Sequence, residues 1–145
     1  MTANKVAADD FNIAAKSAMA VDATSGKILY EKDANTPIEV GSITNLLTVY
    51  LVYEAIDRGD LTADTYVDIS DYAYSLTSNP NISNVPLEAK RYKVKDLIAA
   101  SLMSSANSAT IALAEKVGGS EENFVQMMKA KLKEWGIKDA TIVNS

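Results

Sequence analysis

Neither cysteine nor histidine occurs in the 145 residues. Without imidazole there is no Ser-His-Asp triad, and without thiols there is no cysteine nucleophile and no disulfide framework. Most zinc sites go with them, because zinc draws on those two side chains. No metal or other cofactor is expected. Any nucleophile must be Ser, Thr, Lys or a carboxylate, and its base is not imidazole. Absent too are an apolar run of membrane-spanning length and the apolar core of a signal peptide. Basic runs are missing: 14 Lys and Arg stand against 19 Asp and Glu, a formal net charge of −5. That balance argues against non-specific nucleic-acid binding, and no basic amphipathic stripe suggests a membrane surface.

What remains is an ordinary globular composition, 48% apolar, long enough for one domain with a core. Residues 1–16 read as an N-terminal extension, frayed or briefly helical, with Phe11 and Ile13 as its anchors. From Ser17 to Ala23 and again at Ile28-Leu29-Tyr30 the chain reads as two short strands around the turn Thr24-Ser25-Gly26-Lys27, a hairpin. A polar connection leads to Gly41. An apolar run then predicts a helix from Ser42 to about Arg58, stopped by Gly59. Its residues from Leu46 to Ile56 leave almost no polar face, which predicts a helix buried on all sides.

Tyr66-Val67-Asp68-Ile69 is a strand candidate, and Ser70 to Leu87 reads as irregular loop punctuated by Asn79-Pro80-Asn81 and Val85-Pro86. Such a loop is either a functional rim or a plain connector. After the short extended piece Tyr92-Lys93-Val94, a helix through Leu97–Met103 breaks at Ser104–Ser108. A second helix runs to Lys116 before Gly118-Gly119. A third begins at the cap Ser120, carries Phe124, Met127, Met128 and Leu132 on one face, and ends at Gly136. Ala140–Val143 is a last strand candidate. Helices outnumber strands, which lie at the two ends, so the class is α+β with an incomplete sheet.

Two serines draw notice. Ser42 opens the apolar helix, where helix-end N–H groups favour a nucleophile and where an ordinary N-cap also sits. Ser105-Ala106-Asn107 occupies a tight break between helices, which can set a hydroxyl and an amide on one rim or be a polar turn. With the flanking stretches Ala20-Val21-Asp22-Ala23-Thr24-Ser25-Gly26-Lys27-Ile28-Leu29-Tyr30, Leu102–Ala109 and Ala140–Ser145, the chain from residue 17 to 145 closely resembles the N-terminal part of the low-molecular-mass penicillin-binding proteins, the serine-type D-alanyl-D-alanine carboxypeptidases of bacterial walls. The wording looks closest to Gram-positive members.

The resemblance implies a β-lactamase/transpeptidase-like fold with an N-terminal hairpin. Ser42 is then the acyl-forming nucleophile, Ser105 a proton relay, and Asn107 a ligand for the substrate amide. It also implies removal of the terminal D-Ala from a peptidoglycan stem peptide, trapping of the same serine by β-lactams, and an extracytoplasmic, wall-associated setting for the parent protein, with signal and anchor outside this chain. The family's three motifs are Ser-x-x-Lys, Ser-x-Asn and Lys-Thr-Gly. Asn45 stands where the family has its lysine, and no Lys-Thr-Gly occurs in these residues. Residue 45 lies one helical turn from Ser42, on the same face. A lysine there can take the serine proton, whereas a carboxamide cannot, although it can still hydrogen-bond Ser42. The expectation is a chain inactive as written. A non-catalytic module binding peptidoglycan peptide or β-lactam is the alternative, and the open sheet edge is expected to self-associate.

Overall fold

The computed structural model describes residues 13–88, 90–138 and 140–145. The chain divides into two units, one up to Glu39 and one over Val40–Ser145.

The first unit is the expected hairpin. β1 (Ala18–Val21) pairs antiparallel with β2 (Ile28–Lys32), Ala18 opposite Lys32 and Ala20 opposite Tyr30, with a bulge between Ala20 and Val21. Asp22 organises the turn. Its carboxylate accepts from the Ser25 N–H at 2.7 Å and the Ser25 hydroxyl at 2.6 Å. These bonds hold the Asp22 carboxyl below its ordinary range. Gly26, at φ +69°, supplies the left-handed residue that the turn needs.

The second unit is helical around one buried rod. α1 (Thr44–Asp57) is followed by β3 (Tyr66–Asp68), α2 (Asp71–Leu76), β4 (Arg91–Lys93), α3 (Val94–Ser104), α4 (Asn107–Gly118) and α5 (Glu121–Glu134). β3 and β4 form a second two-stranded antiparallel ladder, with Asp68 opposite Arg91. The central helix is α4, where every residue from Ser108 to Ala114 is buried. It packs against α1, α2, α3 and α5.

α1 corrects the sequence reading. Asn45, Thr48, Val49, Leu51, Val52 and Ala55 are buried, but Leu46 is 59% exposed and Tyr53 51% exposed, with Ile43 and Tyr50 on the same open stripe. Residue size explains the exchange. The Ser-Ala-Thr-Ile-Ala-Leu-Ala stretch of α4 is slim enough for four helices to approach closely, while the bulky side chains of α1 fall partly on an outer face. Val49, Val52, Val67, Leu97, Ile98 and Leu113 fill the main core. A smaller cluster joins Leu51, Ala114, Phe124 and Met128, so the predicted apolar face of α5 is the face that packs.

The expected stops hold. Gly59 (φ +82°), Gly119 (φ +78°) and Gly136 (φ +76°) follow α1, α4 and α5 in left-handed conformation. Ser120 caps α5, accepting from the Asn123 N–H at 3.2 Å. Two other expectations fail. Residues 71–76 form a helix inside the predicted irregular stretch, because Ser70 caps them through the Ala73 N–H at 3.0 Å. Ala140–Val143 is not a strand; no described strand pairs with it, and a strand's backbone groups need a ladder partner. Of the expected extension over residues 1–16, residues 1–12 lie outside the described residues.

Candidate active site

Ser42 sits in a tight turn that winds into α1 through three i→i+3 bonds, Thr44 N–H to the Gly41 carbonyl, Asn45 N–H to Ser42 and Leu46 N–H to Ile43, at 3.0–3.2 Å. The cap position falls on Ile43, with no side-chain cap bond. The Ser42 hydroxyl is therefore not consumed in capping, and Ser42 is exposed at the positive end of the α1 dipole.

Asn45, three residues on, is only 5% exposed. Its Nδ2 donates to the Ser101 carbonyl of α3 at 3.5 Å. The expected bond with Ser42 is present through the main chain alone, from the Asn45 N–H to the Ser42 carbonyl at 3.2 Å.

The break after α3 explains why that carbonyl is available. Ser105 takes φ +48°, ψ +39°, a left-handed conformation unusual for a residue with a Cβ. Its N–H turns back to the Ala100 carbonyl, as does that of Ala106 at 3.2 Å. The regular helical partner of the Ser101 carbonyl, the Ser105 N–H, is thus diverted. Non-glycine residues held in this region cost of order 1–3 kcal/mol and cluster at functional sites. Beneath the corner, the Thr110 hydroxyl donates to the Ala106 carbonyl at 3.1 Å and accepts from the Ser101 hydroxyl at 2.7 Å.

Asn107 begins α4. Its Nδ2 lies 3.1 Å from the Ser83 carbonyl and 3.5 Å from that of Ser105, and its N–H donates to Ser83 as well, at 3.0 Å. Asn84 accepts from the Ser108 N–H at 2.8 Å. The structure therefore ties Asn45 to the end of α3 and joins the Ser105–Asn107 corner to the loop before β4. Sequence reasoning singled out Ser42, Asn45, Ser105 and Asn107 but passed over Ser83 and Asn84. The available signal was an asparagine-rich loop, since Asn side chains bond backbone groups of neighbouring segments.

A separate cleft of about 580 Å³ is lined by Ser70, Tyr72, Glu115, Gly119, Ser120, Glu121 and Glu122, none of them a predicted site residue. Glu121, followed by burial and the other glutamates, pushes the Tyr72 hydroxyl above its ordinary range.

Comparison with known proteins shows the family and the fold. Residues 2–145 match the peptidase S11 family, D-alanyl-D-alanine carboxypeptidase. The D-alanyl-D-alanine carboxypeptidase DacF of Bacillus subtilis is 35% identical over 131 residues, covering 90% of this chain and 33% of the relative. Among solved structures, a peptidoglycan synthesis regulatory factor (PBP3) from Streptococcus pneumoniae is 64% identical with a TM-score of 0.88, over 92% of this chain and 37% of that one. A penicillin-binding protein from Listeria monocytogenes in an ampicillin-bound form is 27% identical with a TM-score of 0.75, over 90% of this chain and 50% of that one. The fold is the penicillin-binding, transpeptidase-like one, and the chain belongs to the peptidase S11 family of D-alanyl-D-alanine carboxypeptidases. It spans about a third of the length of the curated relatives it matches.

Proposed function

We propose that this chain is the nucleophile-bearing N-terminal part of a D-alanyl-D-alanine carboxypeptidase that trims peptidoglycan stem peptides outside the cytoplasmic membrane. Ser42 attacks the peptide bond before the terminal D-Ala and forms an acyl-enzyme, Ser105 relays protons, and Asn107 holds the substrate amide. β-Lactams acylate the same serine. The observation that carries this reading is the placement of Ser42, exposed at the start of α1 with its hydroxyl free of capping, one turn before buried Asn45, which reaches the helix that ends just before Ser105.

That is the reaction of the family, and in this chain, with asparagine at position 45, it stalls at the first proton transfer. The Asn45 carboxamide has no basic lone pair at neutral pH. The chain has no histidine to replace it. Positioned general-base catalysis is worth about 10²–10⁴ in rate, so the chain as written is nearly inert. Incubation with a fluorescent penicillin tests this: faint, slow labelling is expected, and rapid stoichiometric labelling of Ser42 overturns it.

Burial of Asn45 against the Ser101 carbonyl favours a second reading, a module that binds stem peptide or β-lactam without turnover. Calorimetry with a peptide ending in D-Ala-D-Ala separates the two, since retained binding without acylation supports the module. Self-association would run along the β1–β2 ladder, which has no third strand among the described residues. Sedimentation at several concentrations reads it, and a monomer throughout rules it out.

A further inference from the structure

We propose that Asn84 is a positioning residue for the Ser105-Ala106-Asn107 corner. The inference rests on the reading that this corner faces substrate. α4 starts without a cap of its own. Its cap position is Ala106, at φ −70° and ψ +104°, whose methyl group accepts no hydrogen bond. The first N–H groups of a helix are nevertheless obligatory donors. Two consecutive loop residues satisfy them from outside. The Ser83 carbonyl takes the Asn107 N–H at 3.0 Å, and the Asn84 Oδ1 takes the Ser108 N–H at 2.8 Å. The Ser108 N–H is the donor that an N-cap side chain ordinarily receives. Asn84 thus performs the cap's chemistry from 24 residues upstream.

The other half of the same amide fixes the loop. Asn84 Nδ2 donates to the Leu76 carbonyl, the last residue of α2, at 2.9 Å. One side chain therefore gives its oxygen to a helix start and its N–H to a helix end, where the Leu76 carbonyl also accepts from the Asn79 N–H at 3.0 Å. A carboxamide carries its donor and its acceptor on separate atoms, as these two contacts require. The clamp has a direct consequence for Asn107. Because Asn84 holds the loop, the adjacent Ser83 carbonyl sits where it takes both the N–H and the Nδ2 of Asn107. That pair of bonds sets the Asn107 rotamer, and Nδ2 also lies 3.5 Å from the Ser105 carbonyl. The loop that the sequence left open between rim and connector is, on this inference, a brace for the rim.

The test is two-dimensional ¹H–¹⁵N NMR and amide hydrogen exchange on the chain and on Asn84→Ala and Asn84→Asp. In Asn84→Ala, protection of the Ser108 N–H is expected to fall about fivefold, the size of a lost cap. The Asn107 side-chain NH₂ pair is expected to shift toward free-amide values, a signature that general loss of stability does not produce. In Asn84→Asp the carboxylate accepts the Ser108 N–H beside the positive helix end, so Ser108 protection is expected to return. The Leu76 contact remains lost in that variant. Unchanged Ser108 protection and Asn107 signals in Asn84→Ala overturn the proposal. If Asn84→Ala does not fold, Asn84→Asp decides alone: loss of Ser108 protection in it overturns the proposal, and retention upholds the cap. Titrating a D-alanyl-D-alanine dipeptide into the chain tests the functional reading separately. Asn107 signals that respond to Asn84→Ala but not to the dipeptide leave the brace standing and remove the substrate assignment.

Discussion

Asn45 Nδ2 reaches across from α1 to the Ser101 carbonyl of α3, 3.5 Å away and 56 residues distant in sequence. The bond is long and weak by ordinary geometry. It occupies the buried polar side chain in the first turn of α1, at the position to which the proposed mechanism assigns the base.

Replacing that carboxamide is the most direct test of the chemistry. In Asn45→Lys, an amine shielded from water has a lowered pKa and can accept the Ser42 proton. Labelling by fluorescent penicillin is expected to accelerate by about 10²–10⁴ over the chain as written. Adding Ser42→Ala to the same variant is expected to remove the label altogether. Equal rates with Asn and Lys at position 45 contradict the assigned role of that residue.

Gly118 tests how tightly α4 meets α5. A Cβ there would stand 2.8 Å from both the Cβ and the backbone nitrogen of Phe124. Neither atom can swing away as a flexible side-chain tip would. Gly118→Ala is expected to lower the unfolding free energy by about 1–3 kcal/mol, the cost of overpacking. Phe124→Ala should cost about 3–5 kcal/mol through its cavity. The second change keeps both clashing atoms, so it does not rescue the first. Urea unfolding of the two single variants and the double one checks this.

Ser70 joins α2 to α4. Its hydroxyl accepts from the Ala73 N–H at 3.0 Å and donates to Glu115 of α4 at 3.1 Å. Ser70→Ala should cost about 0.5–2 kcal/mol by loss of the α2 cap, and Ser70→Asp should recover less than a cap normally does because its carboxylate would face Glu115. Denaturant midpoints of the three proteins give the comparison.

Acid should loosen the β3–β4 end first. Lys95 and Lys93 bond Asp64 at 2.9 and 3.0 Å and lower its carboxyl from 3.8 to about 2. A depressed folded pKa means the ionised form is favoured by folding. The contribution is therefore complete above about pH 4 and is lost as pH falls toward 2. The group is exposed, so added salt should weaken the effect. Melting temperature against pH should show a shallower acid limb in Asp64→Asn than in the parent chain.

Much of this could be read from local pattern. The Gly59, Gly119 and Gly136 stops, the Ser120 cap and the apolar face of α5 depend on neighbours within a few residues, and they stand as read. The hairpin at Ser17–Tyr30 was legible for the same reason. α2 was missed because six residues with many polar side chains carry too little period to stand out from loop. Ala140–Val143 was over-read, since strand-like composition does not supply a partner to pair with.

The sequence by itself determined which groups these 145 residues can supply, serine without histidine and an asparagine at position 45, and it carried the resemblance to a carboxypeptidase family. Tertiary structure decided which helix lies at the centre. The longest apolar run suggested α1, but packing chose α4, because small residues let neighbours approach while Leu46, Tyr50 and Tyr53 face outward. It also decided that Ser42 is spared from capping, that Ser105 is held left-handed, and that Asn84 stands in for the cap that Ala106 lacks. The last of these depends on hydrogen-bond partners 24 residues apart, and no local pattern specifies where such partners meet.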